Sequence, residues 1–308
     1  MSLNTAWLFP GQASQKVGMG YDLYQNTDLG KSYFDLANSI MGCDIQSIIF
    51  EGPQETLKQT QYTQPAIYIV SVIIGKLLLK KGLRPAALAG HSLGEYSALA
   101  IGEAFDFATG LNLVKLRAEN MAQAGRLQSG SMAAIIGLDE YRVSDLCQDY
   151  SGEGIVVAAN FNSPDQVVIS GTPEAVTTIM ATAKNNGARM ATQLNVSGAF
   201  HSTLMAPARE ALAVELNSIQ ISDSIYPIYA NVNAQPNTLG VKIKDLLIRQ
   251  LENPVLWSQT ITAISNQGIE SFMEVGPGKV LQGLNKRINR QIPVSGIESI
   301  AQLEALNV

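Results

Sequence analysis

The sequence predicts an α/β protein made of a large lobe with a mainly parallel sheet and a small lobe inserted into it. Short apolar runs of strand character alternate with helical periodicity through most of the chain, which favours parallel strands joined by helices. The 308 residues exceed the size at which one hydrophobic core usually stops growing. We assign residues 1–128 and 197–308 to the large lobe and residues 129–196 to the small lobe.

The large lobe begins with a predicted strand at residues 6–9, and the loop GQASQ follows it. The spacing predicts a helix that starts near Pro65, because proline suits a first-turn position, and that continues to Lys81, where Gly82 ends it. A short buried strand at residues 86–89 comes next.

The small lobe is predicted from a change of hydrophobic period after residue 130. Its elements are, in order, a strand at 131–137, a helix at 140–150, strands at 155–160 and 166–170, a helix at 173–186 and a strand at 189–196. The order βαββαβ is that of a ferredoxin-like unit. The large lobe then resumes at Gly198, and we expect it to end with a helical segment at residues 279–290.

The overall composition excludes several classes of partner. A formal net charge of −5 gives no general attraction for nucleic acid or for an anionic membrane, since both require a surplus of Lys and Arg. The longest apolar run, residues 66–75, is too short to span a bilayer, and the first residues lack the pattern of a signal sequence. We therefore expect a cytoplasmic protein that binds neither nucleic acid nor a membrane.

Metal ligands are scarce in this chain. Its two cysteines, Cys43 and Cys147, lack C-x-x-C spacing, and its two histidines lack an H-E-x-x-H pattern. We expect buried thiols, no metal site and no bound cofactor.

The stretch ALAGHSLGEYSALA, residues 87–100, contains the pattern G-x-S-x-G, in which a strand passes into a helix through a very tight turn. Gly90 and Gly94 permit the turn, and Ser92 is then exposed at the strand end, near the N–H groups of the new helix. The large lobe would therefore be hydrolase-like, with Ser92 as a nucleophile. The alternative is an ordinary glycine-rich turn whose serine caps the helix.

A nucleophilic serine needs a base at about 2.6 to 3.2 Å, and histidine is the usual base at neutral pH. His91 adjoins Ser92, and neighbouring side chains at such a turn point apart. His201 lies in SGAFHSTLM, at the seam between the lobes, where clefts form. We therefore select His201 as the base.

Arg117 lies four residues from both Leu113 and Met121, so its guanidinium shares the apolar stripe of a predicted helix. A buried guanidinium requires an anion. The spacing leaves two candidates open, which are an internal Asp or Glu and a carboxylate on the substrate. A planar guanidinium would bind the second through two parallel hydrogen bonds, which indicates an acyl group with a free carboxylate.

Several motifs, in the same order, resemble those of the malonyl-CoA:acyl carrier protein transacylases over nearly the full chain. The matching stretches are LFPGQASQ, GHSLGEYSAL, LRAENM, ANFNSPDQVVISG, GAFHS, LENPVLW and EVGPGKVLQGL. The resemblance implies that Ser92 attacks malonyl-CoA, that a malonyl-serine ester forms, and that the phosphopantetheine thiol of an acyl carrier protein then accepts the malonyl group. The CoA thioester is thus a substrate rather than a bound cofactor.

The resemblance also implies roles for further residues. His201 carries the proton in both half-reactions, and a carbonyl of Gln250 orients the imidazole. The N–H groups of Gln12 and Leu93 form the oxyanion hole, and Arg117 binds the malonyl carboxylate.

Two positions carry finer expectations. The family commonly has G-Q-G-S-Q in the first loop, where this chain has Ala13. We expect a benign alanine, since only a positive φ would strain it. Phe200, beside His201, is the residue type of malonyl-selective members, and core packing explains it equally well.

The densest positive cluster lies around the last predicted helix, and carrier proteins are usually acidic. Its members are Lys279, Lys286, Arg287 and Arg290, of which Lys286 and Arg290 are expected one helical turn apart. We hypothesise that this cluster, termed the carrier patch, receives the carrier protein. A merely solvated basic face is the alternative.

Other functions stay open at this point. An α/β-hydrolase esterase or thioesterase would use an acid between Ser92 and His201, such as Asp139, Asp145 or Asp165. A module that binds a carrier protein without catalysis would not require the intact serine and histidine. The same residues would serve fatty-acid synthesis or a free-standing acyltransferase of a polyketide pathway. A monomer is our working expectation.

Overall fold

The computed structural model describes residues 4–196 and 198–306 and has an α/β fold with two separate sheets. In chain order the strands are β1 (Thr5–Phe9), β2 (Ala87–Gly90), β3 (Ser131–Ile136), β4 (Val156–Ser163), β5 (Gln166–Gly171), β6 (Met190–Gln193), β7 (Ile228–Tyr229), β8 (Pro236–Asn237), β9 (Ser271–Val275) and β10 (Val294–Ile297). The helices are α1 (Tyr21–Asn26), α2 (Asp28–Met41), α3 (Ile45–Phe50), α4 (Gln54–Leu57), α5 (Thr60–Lys80), α6 (Gly94–Ile101), α7 (Phe107–Leu127), α8 (Glu140–Gln148), α9 (Pro173–Asn185), α10 (Ala206–Ser218), α11 (Gly240–Gln250), α12 (Trp257–Ser265), α13 (Val280–Ile288) and α14 (Ile300–Glu304), and a single 3-10 turn lies at Thr203–Met205.

The large sheet has the strand order β10-β9-β1-β2-β7-β8, and its pairs are parallel except for β7 with β8. Successive residues of β1 point to opposite faces, so Trp7 and Phe9 join one hydrophobic cluster while Leu8 joins another. All three side chains are at most 1% exposed, as is usual for a parallel sheet that is covered on both faces. The carboxyl ends of β1 and β2 therefore lie side by side at one edge, where ligands bind in such folds.

Helix α5 runs through the core of the large lobe and begins at Thr60, so the predicted start near Pro65 is wrong by five residues. Pro65 is buried inside the helix, and its missing N–H removes only one intrahelical hydrogen bond, which the surrounding packing offsets. By length and composition α5 is long and apolar enough to cross a membrane. The uninterrupted apolar run at residues 66–75, which is shorter than the helix, did not predict this. In the most apolar 18-residue segment of α5, 78% is buried inside the fold. Helix α5 thus packs as a core helix.

The small sheet has the order β4-β5-β3-β6, and every neighbouring pair is antiparallel. Residues of α8 and α9 form one hydrophobic cluster with this sheet, which confirms the predicted ferredoxin-like βαββαβ unit. The elements span residues 131–193, inside the range we assigned to the small lobe, and the lobe boundaries themselves stay a prediction. Two hydrogen bonds of 2.9 Å, from Phe161 to Val255 and from Val255 to Ala159, connect β4 to the large lobe.

The last elements of the chain differ from the prediction of a terminal helical segment. Helix α13 is followed by β10 and α14, and β10 extends the large sheet through the pair Val294↔Phe272. A four-residue strand that contains serine and glycine has too little apolar alternation to be recognised in the sequence.

Candidate active site

Ser92 lies in the turn between β2 and α6, as the G-x-S-x-G pattern predicts. The turn holds Ser92 in the left-handed region, at φ +50°. A Cβ atom on Gly90 would lie 1.9 Å from the carbonyl carbon of Gly94, and one on Gly94 would lie 2.0 Å from the main-chain oxygen of Phe9. Any side chain at either glycine would therefore clash with backbone, and the tight turn holds the serine at the carboxyl edge of the sheet.

His201 is hydrogen-bonded to Ser92, with 2.9 Å between Nε2 and the serine Oγ. The other ring nitrogen, Nδ1, lies 2.9 Å from the main-chain oxygen of Gln250 and 3.1 Å from that of Asn253. Since both oxygens only accept hydrogen bonds, we assign the proton to Nδ1, and the lone pair of Nε2 then faces the serine hydroxyl. The carbonyl of Gln250 that contacts the histidine is the main-chain one.

The imidazole of His201 is neutral at physiological pH. The residue is only 4% exposed, and burial together with the nearby positive charge of Arg117 lowers its pKa from 6.5 to about 3. A neutral imidazole is the form that a general base requires.

Arg117, in α7, brings a buried positive charge into contact with Ser92. The residue is 1% exposed, and its Nη2 lies 2.9 Å from Ser92 Oγ and 3.0 Å from Gln250 Oε1. Its Nη1 donates to Gln64 Oε1. Among the residues that the structure describes, no carboxylate forms a direct ion pair with Arg117. An internal acid, Glu95, interacts with the charge of Arg117 without direct contact, and Gln250 lies between them.

His91 points away from Ser92, as expected. Its Nε2 lies 2.8 Å from Asn162 Oδ1, and its ring centroid lies 5.5 Å from that of Trp257. Burial lowers its pKa. Asn162 belongs to a stretch to which the sequence assigned no chemistry, and the structure makes it the partner of this second histidine.

The two residues expected to form the oxyanion hole, Gln12 and Leu93, line the cavity that contains Ser92. Within residues 4–196 and 198–306, their main-chain N–H groups have no acceptor. The N–H of Ser92, by contrast, donates to Asn231 Oδ1 at 2.7 Å. The geometry is compatible with an oxyanion hole at Gln12 and Leu93, and this role stays a prediction.

The cavity has a volume of about 570 Å³ and lies between the two sheets. Its walls include Arg117 from the large lobe, Asn160 from the small lobe and Val280 from α13. Phe200 also lines the cavity beside His201 and is 6% exposed. Its position thus fits core packing and acyl selection alike.

Ala13 adopts φ +84°, so the expectation of a benign alanine is wrong. The left-handed region costs a residue with a Cβ atom roughly 1–2 kcal/mol. The N–H of Ala13 donates to Gln15 Oε1 at 2.8 Å, and Ala13 lines the same cavity as Gln12. The first loop therefore adopts its turn with a strained backbone at Ala13.

The structure also corrects the expected shape of the carrier patch. Lys279 is exposed at the start of α13, and Lys286 and Arg287 are exposed in its last turn. Asn289 takes an extended conformation at the end of the helix, so Arg290 lies beyond it and the one-turn spacing from Lys286 is wrong. Arg290 is nevertheless exposed.

In the described part of the chain, no group of three or more His, Cys, Asp or Glu side chains could hold a metal ion. Cys147 is buried and free, and burial raises its pKa to about 12, whereas Cys43 is only partly buried.

Four polar residues around the site had no role predicted from the sequence, namely Gln64, Glu95, Asn231 and Asn253. No short pattern marks Asn231, and Asn253 lies in the matching stretch LENPVLW without a role of its own. Glu95 follows the serine in GHSLGE, but an acid in the first turn of a helix is common because it complements the helix dipole. Only the tertiary contacts distinguish these residues from others of their type.

Nearly the whole chain, and not the site alone, matches one protein family. The family model described as acyl transferase domain matches residues 6–304, and the chain belongs to this family. Within the family it is similar to the malonyl CoA-acyl carrier protein transacylases. It is 43% identical to the one from Synechocystis sp. over 305 residues, which cover 99% of each sequence.

Solved structures agree with this similarity. An acyl carrier protein S-malonyltransferase from Vibrio cholerae has a TM-score of 0.95 at 42% identity, covering 99% of this chain and 100% of that chain. A malonyl-transacylase in complex with its type II PKS acyl-carrier protein has a TM-score of 0.93 at 39% identity, covering 98% of each chain. The predicted fold class and the resemblance are thereby confirmed.

Replacing Ala13 with glycine should stabilise the protein. Relief of the left-handed strain, roughly 1–2 kcal/mol, exceeds the entropy cost of about 0.5–1 kcal/mol that glycine adds. We expect the free energy of unfolding, measured with urea, to rise by about 0.5–1 kcal/mol. Ala305→Gly is the matched control, since Ala305 has φ −68°, and it should destabilise. A loss of stability in Ala13→Gly would contradict the strain.

Acid should destabilise the protein through His201. Its folded-state pKa of about 3 lies below the unfolded value of 6.5, so between these values the unfolded state binds more protons and stability falls as the pH falls. Between pH 6.5 and pH 5 this amounts to about 2 kcal/mol. Urea unfolding at pH 7 and pH 5 should show wild type losing about 2 kcal/mol more than His201→Gln. Equal losses would refute the lowered pKa.

Proposed function

We propose that Ser92 carries the malonyl group of malonyl-CoA as an ester and passes it to the phosphopantetheine thiol of an acyl carrier protein. The enzyme is an acyltransferase that moves malonyl from CoA to the carrier protein. The observation that carries the proposed mechanism is the distance of 2.9 Å between Arg117 Nη2 and Ser92 Oγ. A buried guanidinium beside the nucleophile favours an acyl chain that ends in a carboxylate.

In the first half-reaction, His201 Nε2 takes the proton of Ser92 as Oγ bonds to the thioester carbon. The resulting oxyanion accepts hydrogen bonds from the N–H groups of Gln12 and Leu93, and each such donor contributes on the order of 3 kcal/mol in comparable sites. The C–S bond then breaks, and His201 returns the proton to the CoA sulfur. In the second half-reaction His201 takes the proton of the carrier thiol, which attacks the ester, and the proton returns to Ser92.

Substrate binding would prepare His201 for its role as a base. The positive charge of Arg117 is one cause of the low pKa of His201, after burial. A malonyl carboxylate on Arg117 offsets that charge and therefore raises the pKa of the imidazole towards its ordinary value. An acyl group without a carboxylate leaves the pKa of His201 low and the imidazole a weaker base. Malonyl-CoA is then favoured in the chemical step as well as in binding.

The hydrolase alternative has weaker support in the geometry. A hydrolase triad would place a carboxylate at Nδ1 of the histidine, whereas His201 Nδ1 faces two main-chain oxygens, those of Gln250 and Asn253. Of the acids considered, Asp139 accepts from the N–H of Arg142 at the start of α8. A carrier-binding module without catalysis would not need the hydrogen bond between Ser92 and His201.

We further infer that Phe200 narrows the cavity beside His201 against α-branched acyl groups, and that the enzyme works in the cytoplasm as a monomer. The core position of α5 supports the absence of a membrane anchor at that helix. Fatty-acid synthesis and polyketide synthesis both need the same two half-reactions, and the proposal covers either pathway.

Intact-protein mass spectrometry tests the acyl-serine step. Wild type mixed with malonyl-CoA should gain one malonyl group, and a carrier thiol should remove it. The Ser92→Ala variant should gain no malonyl group. Its thermal unfolding, compared with that of wild type, shows whether the variant is folded. Rapid release of free malonate without carrier would instead favour the hydrolase.

The carrier patch is proposed as the docking surface because α13 also lines the cavity through Val280, Leu281 and Leu284. A carrier protein bound to its exposed basic residues would sit at the cavity wall. Lys286 and Arg290 are both exposed.

Reversing the charge of Lys286 and Arg290 together should slow transfer to the carrier about 10-fold at low salt, through loss of electrostatic steering. Acylation by malonyl-CoA should stay unchanged. The double reversal of Lys184 and Lys242, exposed residues that do not line the cavity, changes the net charge equally and should leave both half-reactions intact. Equal slowing of both half-reactions in the patch variant would show that the patch does not dock the carrier.

A further inference from the structure

Glu95 is a buried acid that the proposed mechanism does not use. It lies in the first turn of α6, three residues after Ser92, and is 2% exposed. Its Oε2 accepts two hydrogen bonds, from the N–H of Asn231 at 3.0 Å and from Gln250 Nε2 at 2.8 Å. Among the described residues it has no ion-pair partner within 4 Å. A carboxyl buried in this way requires a structural or functional reason.

The contacts of Glu95 fix the direction of the Gln250 side-chain amide. Gln250 Nε2 donates to Glu95 Oε2 and to the main-chain oxygen of Ser92, the latter at 3.0 Å. Gln250 Oε1 accepts from Arg117 Nη2 at 3.0 Å. Because two acceptors face the nitrogen and a donor faces the oxygen, only one of the two amide orientations satisfies every group.

That orientation determines where the guanidinium of Arg117 lies. Nη2 of Arg117 is shared between Gln250 Oε1 and Ser92 Oγ, so the amide oxygen holds the guanidinium next to the nucleophile. With Glu95 absent, the amide loses one of its two acceptors. A turned amide would present its own N–H donors to the guanidinium, which would move away from Ser92.

We propose that Glu95 is a positioning residue for malonyl specificity, acting through the side-chain amide of Gln250 on Arg117. The inference rests on the proposed role of Arg117 as the site of the malonyl carboxylate. The carboxyl of Glu95 contacts neither the hydroxyl of Ser92 nor the ring of His201, and only the main-chain N–H of Glu95 donates to the main-chain oxygen of Ser92, at 3.2 Å. Gln250 differs in this, since its main-chain oxygen contacts the His201 ring.

Hydrogen-bond acceptance, and not charge, is the property of Glu95 that matters. Burial raises the pKa of its carboxyl to about 7, and the hydrogen bonds from Asn231 and Gln250 and the charge of Arg117 oppose the rise. Near neutral pH the side chain is thus partly protonated, and a carbonyl oxygen accepts in either state. Glutamine supplies the same acceptor in the same volume, so Glu95→Gln is the conservative variant that should rescue function.

The experiment compares acylation of Ser92 by malonyl-CoA and by acetyl-CoA in wild type, Glu95→Gln and Glu95→Ala, with Arg117→Ala in parallel. The readout is the ratio of kcat/KM for the two donors, and thermal unfolding monitors the fold. We expect Glu95→Ala to lower the malonyl-to-acetyl ratio about 10-fold, consistent with a displaced charged hydrogen bond. Glu95→Gln should stay within about 3-fold of wild type.

A Glu95→Ala variant that loses both activities in the same proportion would overturn the inference, because a merely structural role affects both donors equally. Should Glu95→Ala fail to fold, Gln250→Met replaces it. This variant keeps the main-chain carbonyl for His201 and lacks the amide, so it should lower the ratio about 10-fold as well, and an unchanged ratio would overturn the inference. The Arg117→Ala variant distinguishes a failure of this inference from a failure of the proposed function. An unchanged malonyl-to-acetyl ratio in Arg117→Ala would refute Arg117 as the carboxylate site, independently of the role of Glu95.

Discussion

The buried guanidinium of Arg117 constrains the rest of the site. A charge removed from water costs several kcal/mol unless hydrogen bonds compensate it, and here neutral oxygens of Gln64, Gln250 and Ser92 surround it. These partners are neutral, and Nε of Arg117 has no hydrogen-bond partner among the described residues, so direct contacts do not cancel the charge. Burial, and after it the positive charge of Arg117, lowers the pKa of His201. In the proposed mechanism, the carboxylate of the acyl group supplies the opposite charge that no direct partner of Arg117 provides.

Several residues with a strained backbone surround the same site. Among the five described residues other than glycine that have positive φ, Ala13, Ser92 and His201 line the cavity at Ser92, whereas Glu103 and Ala234 do not. Residues other than glycine rarely adopt this conformation, and it persists where the surrounding structure determines it. At Ser92 the determinant is visible, since Gly90 and Gly94 allow backbone contacts that any Cβ atom would prevent. The strain thus accompanies the exposure of the nucleophile at the sheet edge.

Much of the fold could be predicted because local periodicity reflects burial. The alternation around β3 to β6 predicted the small sheet, and the buried runs of β1 and β2 predicted two strands of the large one. That these two strands are neighbours is shown only by the structure. Prediction failed where tertiary contacts replace local signals. Pro65 lies inside α5 because packing stabilises the preceding turn, and β10 is recognised only by its pairing with β9.

For the site, the sequence by itself determined the turn around Ser92, since sterics require its glycines, and it selected His201, because the chain has only two histidines. It also placed Arg117 on an apolar face. Tertiary structure alone decided the partners of these groups. Gln64 and Asn231 come from distant parts of the chain, and a hydrogen bond depends on distance in space, about which spacing along the chain carries no information.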